Sequence, residues 1–364
     1  MKIHINIIFS ILFFLFIGCT DQSANKLPDR PLERIAFGSC AKQWIPQPIW
    51  NTIAETKPDL FLFIGDAIYG DWDGENVFEV TEETLTRDWG KLAAITEFKQ
   101  FREKVPIMAT WDNHDYGKHN GGAEFAKKEL TKKHFLDFFG DPADSERRKS
   151  PGINDARIFG PEGQRVQIIL LDTRWFKSPF KKDPRSKEEL KKIGKVGKYI
   201  PNTDPGVTLL GEIQWQWLER KLKTPAEIRF IVSSIQIIAN EKGMDEWGDY
   251  PADRQRLFDL IGSTGANGVI LLSGNEHFAE LSKTDEGPYP LYDFTSSGLT
   301  HVNEVYGKAP NSFRVAGPYI DLDFGLVEID WQKQPAPEIT LRIIGFDSSI
   351  AFVYAINLNE LQIN

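Results

Sequence analysis

Leu60-Phe61-Leu62-Phe63-Ile64-Gly65-Asp66-Ala67-Ile68-Tyr69 is the stretch on which the fold turns. Five consecutive apolar residues closed by a glycine fit a strand buried on both faces, and the carboxylate and phenol that follow fall at its carboxyl end. The same grammar recurs along the chain. Ile35-Ala36-Phe37 runs into Gly38-Ser39-Cys40, Ile107 to Thr110 into Trp111-Asp112-Asn113-His114-Asp115, and Val269 to Leu272 into Ser273-Gly274-Asn275-Glu276-His277. Val166 to Leu171 and Phe230 to Ser233 read as further strands. In open α/β sheets ligands gather beyond the carboxyl ends of the strands, which is where these polar groups fall.

Amphipathic segments between the strands predict helices over Pro48 to Thr56, Glu82 to Lys104, Ala123 to Phe139, Gly211 to Leu222 and Pro251 to Ile261, giving an α/β chain. In the fourth, Leu210, Ile213, Trp217 and Leu218 share one helical face, so its tryptophans are expected in the core rather than on a substrate. Phe176 to Thr208 is rich in Lys, Asp, Pro and Gly without a period and reads as a long surface excursion able to cover a site. Gly325 to Trp331, Glu338 to Ile344 and Ile350 to Leu358 alternate, predicting antiparallel strands that close the fold over 317–364. With no internal repeat and no second core, residues 34–364 read as a single domain.

The 364 residues carry a formal charge of -9, which argues against a broad basic surface and hence against a nucleic-acid duplex as partner. A small phosphate ester remains compatible through local charges. At the N-terminus, Lys2 precedes the nearly unbroken apolar run Ile5 to Ile17, too short to span a bilayer comfortably, so residues 1–18 read as a signal peptide. Leu15-Phe16-Ile17-Gly18-Cys19 resembles the bacterial lipoprotein signal, with Phe16 where leucine is usual. Cys19 would then be lipidated, residues 19–33 would form a tether, and the protein would sit at the bacterial cell envelope, periplasmic or at the surface. A plain signal peptide with an incidental cysteine is the alternative. Lipidation of Cys19 would leave Cys40 unpaired, held either as a metal ligand or as a buried inert thiol.

Taken together, four strand ends offer thiol, carboxylate, phenol, amide and imidazole, the donors a metal site built across a sheet requires. In this order the groups resemble the alkaline phosphatase D (PhoD-like) family of metallophosphoesterases. Leu171-Asp172-Thr173-Arg174, Leu210-Gly211 with Gln214 and Trp217-Leu218, Ser234 to Gln236, and Trp247 to Pro251 with Arg254 extend the resemblance from about Arg34 to Thr300. It implies an αββα sandwich of two packed sheets with phosphodiesterase or phosphomonoesterase activity. It also implies one metal, iron in similar proteins, on Cys40, Asp66, Tyr69 and His277. A second site, calcium or another divalent cation, would use Asp66, Asn113 and Asn275, helped by a group near Gln236.

The sequence departs from the family at Asn113, Asn120 and Asn275, which stand where aspartates are common, and at His119, where asparagine is common. An amide keeps the oxygen ligand but removes charge, so the second cation should bind less well or be a different ion. His114 with Asp115 is the candidate acid/base pair, and Arg174 with His119 the candidate phosphate-binding pair, Arg174 being equally suited to a salt bridge with a neighbouring carboxylate. The expected chemistry is in-line attack by a metal-activated hydroxide, with His114 protonating the departing oxygen. The sequence does not choose among nucleotide, phospholipid, teichoic-acid-like and simple monoester substrates. The contrasting reading is a degenerate lipoprotein that binds a phosphorylated envelope component without hydrolysis; oligomeric state is not legible.

Overall fold

The computed structural model describes residues 27–363, so the signal peptide and Cys19 lie outside the described residues. Two mixed sheets pack face to face. In the first, β1 (Arg34–Gly38), β2 (Leu60–Ile64) and β3 (Ile107–Thr110) run parallel, and β13 (Asp323–Asp330), β14 (Glu338–Gly345) and β15 (Ile350–Asn357) extend antiparallel from β1. The second sheet has seven strands in the order β12 (Arg314–Tyr319), β10 (Ala279–Thr284), β11 (Leu291–Thr295), β9 (Val269–Ser273), β8 (Ile228–Val232), β5 (Val166–Leu170) and β4 (Asp155–Phe159). Within it β5, β8, β9 and β11 run parallel to one another, while β4 pairs antiparallel with β5 and β10 antiparallel with β11.

Strand β2 explains why the decisive stretch is apolar throughout. Leu60, Leu62 and Ile64 join the core between the sheets, while Phe61 and Phe63 face the opposite way into a second cluster with Trp50, Phe98 and Phe101. A two-residue period buried on both faces leaves no polar position, and each such side chain contributes about 1.5–3 kcal/mol when fully buried. Phe37 of β1 meets Phe294 of β11 across the sheets with ring centroids 5.1 Å apart.

Several elements differ from expectation for identifiable reasons. The single helix expected over Glu82 to Lys104 is two, Glu82–Ala94 and Thr96–Arg102, because Ile95 turns extended at ψ 116°. The helix expected from Ala123 begins only at Lys128; before it the chain runs in turns, with the Ala123 N–H donating to the Lys177 carbonyl at 2.9 Å. Helix Gly211–Leu222 has its expected bounds but a different buried face, made of Gly211, Gln214, Trp215, Leu218 and Leu222, leaving Ile213 57% exposed. Gln214 turns inward to bond the Asp172 backbone through both its amide atoms, and Trp215 donates to Asp253. Polar anchoring, not the apolar stripe, sets that face.

The excursion 176–208 is also more ordered than expected. It contains the short ladder β6 (Lys181–Lys182) with β7 (Tyr199–Ile200) and a helix, Lys187–Lys192, capped by Ser186. Tyr199 accepts a hydrogen bond from Asn120 at 2.9 Å, and Lys177 donates to the Asn120 carbonyl at 3.1 Å, so the excursion docks on the loop after β3. Among the described residues no helix is long and apolar enough to cross a membrane.

Candidate metal centre

Seven parallel strands, three in one sheet and four in the other, end at one edge of the sandwich and hand their following loops to a common site. The turns there are tight. Cys40 (φ 66°), Asp66 (φ 51°), Asn275 (φ 68°) and His277 (φ 57°) adopt left-handed backbone, four of the seven non-glycine residues that do so among the described residues. Such conformations are costly for residues with a Cβ, and their concentration on four expected ligands marks a site that the surrounding packing holds in place. Gly65 makes the approach feasible, since a Cβ there would lie 2.6 Å from that of Asp112.

Ligand atoms of Cys40, Asp66 and His277 all lie within 4.8 Å of one another. Cys40 Sγ is 3.7 Å from Asp66 Oδ2 and 3.2 Å from Ser297 Oγ, and the buried Tyr69 hydroxyl is 3.2 Å from His301 Nε2. Burial pushes the Cys40 thiol well up, aided by Asp66; burial likewise raises Asp66, aided by Asp112, and Tyr69, aided by Cys40. Three acids thus crowd together, and among the described residues the Asp66 carboxylate has no Lys, Arg or His within ion-pair distance. A cation is the missing charge, so the donor set fits a metal ion. Burial also lowers His277 to about 3 and His301 to about 2, leaving both imidazoles neutral at pH 7, as a metal ligand must be.

The acid/base pair expected from the sequence is rearranged. His114 Nδ1 lies 2.6 Å from Asp71 Oδ1, while the His114 backbone N–H donates to Asp66 at 3.1 Å. Asp115 points away: its carboxylate accepts from the backbone N–H groups of Ile68 at 2.9 Å and Asp112 at 3.1 Å, bracing the loops after β2 and β3. Asp115 is therefore a loop brace, and Asp71 is the carboxylate of His114. A sharp turn brings Asp71 back over a residue 43 positions away, a contact that adjacency in sequence conceals.

Arg174 takes the salt-bridge alternative. Its guanidinium is 0% exposed and pairs with Asp112 at 2.5 Å and Asp245 at 2.6 Å. Withdrawing it to reach a substrate would strand two buried carboxylates, at a cost of about 3–5 kcal/mol. His119 stays close, its ring centroid 5.6 Å from that of His114 and its Nδ1 3.3 Å from the buried Asn113 amide nitrogen. Asn275 sits at the site edge, its N–H donating to Ser39 Oγ at 3.4 Å. Gln236 is spent elsewhere, bonding Glu280 at 2.7 Å, Thr295 at 2.8 Å and Lys242. The sequence reading missed Asp71, Ser297 and His301; the last two follow β11, whose buried Asp293 breaks the apolar run that would have marked it.

The profile of the PhoD-like phosphatase family matches residues 35–316, which covers β1 and every strand end just described. The chain belongs to this family. Alkaline phosphatase D of Bacillus subtilis (strain 168) is 23% identical over 283 residues, 68% of this chain but 46% of its own length, so the chain spans about half of that relative. A solved PhoD structure superposes with a TM-score of 0.70 at 18% identity, covering 92% of this chain and 72% of the other. A purple acid phosphatase from yellow lupin (Lupinus luteus) seeds gives 0.58 at 12% identity, over 90% of this chain and 54% of its own. GAP50, described as the anchor in the inner membrane complex of Plasmodium, gives 0.55 at 13% identity, over 90% and 89%. These likenesses show the two-sheet fold that the chain shares with PhoD.

Proposed function

We propose that this PhoD-like protein is a metal-dependent phosphoesterase acting on phosphomonoesters, phosphodiesters or both. The observation that carries the reading is the pairing of His114 with Asp71 at 2.6 Å in the loop cluster that gathers Cys40, Asp66 and His277. A cation held by Cys40, Asp66, Tyr69 and His277 would supply Lewis acidity toward a phosphoryl oxygen and lower the pKa of water, and three anionic donors favour a highly charged ion such as ferric iron. Asn113 and Asn275 offer neutral oxygens for calcium or another divalent ion beside Asp66.

The chain's own contribution is proton handling and exclusion of water. Asp71 fixes the ring orientation of His114 through Nδ1, and Nε2, which makes no hydrogen bond among the described residues, is the atom that can deliver a proton to the departing oxygen. The docked excursion around Tyr199 walls one side of the loop after β3.

The test is hydrolysis of aryl phosphate monoesters and diesters by protein supplied with iron and calcium, beside an Asp66→Ala control. Turnover abolished in the control supports the proposal. Metal binding without turnover of either ester would favour the binding-only reading, to which the amides at Asn113 and Asn275 lend weight. We also propose that Cys19 carries lipid and tethers the protein to the bacterial envelope, supported by the run Leu15 to Cys19; Cys19→Ser should release it from the membrane fraction, and an unchanged distribution would remove that proposal.

A further inference from the structure

With Arg174 sealed behind two carboxylates, the site needs another cation for a substrate phosphate. We propose that Lys42 is that cation, an inference that rests on the phosphoesterase reading for its chemistry but not for its test. Lys42 stands two residues after Cys40, and its backbone is pinned on both sides. Its N–H donates to Thr300 Oγ1 at 2.9 Å, that hydroxyl donates to the Cys40 carbonyl at 2.9 Å, and Gln47 donates to the Lys42 carbonyl at 3.0 Å.

The side chain is steered by rings. The ammonium lies 5.1 Å from the Trp72 ring centroid and 6.0 Å from that of Tyr69, and Trp44 meets both rings edge-on at 5.7 and 5.8 Å. Trp72 in turn lies 6.4 Å from the His114 ring, centroid to centroid. Tyr69 and His114 are closer still, at 4.2 Å. Lys42 therefore shares one aromatic wall with an expected metal ligand and the expected acid.

What separates Lys42 from the other lysines around the site is that its charge is unspent. Lys177 bonds the Asn120 carbonyl, Lys242 is enclosed by Glu246 and Glu276, Lys118 pairs with Glu124 and Lys127 with Glu79. Among the described residues the Lys42 ammonium makes neither a hydrogen bond nor an ion pair, in a chain with 52 acidic against 43 basic residues. A ring face attracts a cation without consuming its N–H donors, so all three remain for phosphate oxygens. The added positive charge favours a dianionic monoester over a monoanionic diester.

The experiment measures binding of inorganic phosphate to the metal-loaded protein by calorimetry, together with metal content and the kinetics of an aryl phosphate monoester, for wild type, Lys42→Gln and Lys42→Arg. Loss of a charge-assisted contact predicts about tenfold weaker phosphate binding in Lys42→Gln, a matching rise in KM rather than a fall in kcat, unchanged metal content, and substantial rescue by Lys42→Arg. Equal phosphate affinity in wild type and Lys42→Gln would overturn the proposal, as would metal lost along with phosphate. Phosphate binding that depends on Lys42 in a protein that turns over no ester would uphold this inference while the hydrolytic reading fell.

Discussion

Adjacent in the chain, His114 and Asp115 act on different parts of the molecule. His114 reaches Asp71, whereas Asp115 holds two backbone N–H groups that shape the turns after β2 and β3. Variants should separate these roles. Asp66→Ala should lose metal and turnover together, because Asp66 is one of three donors within 4.8 Å. His114→Ala should keep its metal and slow turnover by roughly 10²–10⁴-fold, and Asp71→Asn should follow it with a smaller loss, on the order of tenfold or more. Metal analysis beside steady-state kinetics checks this, and equal metal loss in Asp66→Ala and His114→Ala would contradict the division. Strand-end placement marked the groups around Cys40, Asp66 and His277, and the family resemblance singled out these residues with Tyr69 as ligands; the structure brings donor atoms of Cys40, Asp66 and His277 within 4.8 Å of one another. Asp71 was not legible in the sequence, since its contact with His114 depends on how the loop after β2 folds back.

At the scale of elements, buried carboxyls at strand boundaries make a prediction about pH. Asp115 beyond β3, Glu276 beyond β9 and Asp323 at the start of β13 are each pushed up to about 8, in every case chiefly by burial. Their unfolded values lie near 4, so between about 4 and 8 the native state binds more protons than the unfolded chain and stability falls as pH rises. His277 and His301 act oppositely, with depressed folded values whose contribution is complete above about 6.5. From about pH 6.5 to 8 the buried carboxyls dominate, joined by Asp249, which burial pushes up to about 9, while Lys177, lowered to about 8 by burial, opposes them only toward the top of the window. Chelator-treated protein should therefore lose thermal stability across that window, and a midpoint that rises from pH 6.5 to 8 would contradict the assignment. Polar residues inside strands also limited what the sequence disclosed. β10 and β11 bury Glu280, Ser282 and Asp293, which interrupt the apolar runs that made β2 and β9 plain. The face of helix Gly211–Leu222 was misread for a related reason, because Gln214 is held inward by the Asp172 backbone.

At the scale of the whole molecule, two sheets bring their parallel strand ends to one edge, and that convergence turns four weak sequence groups into one cluster. The α/β alternation and the C-terminal antiparallel strands were readable because apolar period and turn residues agree there. The pairing order of the strands was not, since it depends on contacts between separate segments such as β1 with β13 and β9 with β11. The family match over residues 35–316 fixes the architecture, while the chain covers 46% of its Bacillus relative, so its chemistry must be measured on this protein. The decisive measurement is a titration of metal-free protein with iron, following bound metal and aryl phosphate turnover in the same samples. Turnover should rise in proportion to metal held by wild type and be absent from Asp66→Ala at every ratio. Turnover in metal-free protein, or a site filled with iron that hydrolyses no phosphate ester, would contradict the metal-dependent phosphoesterase reading.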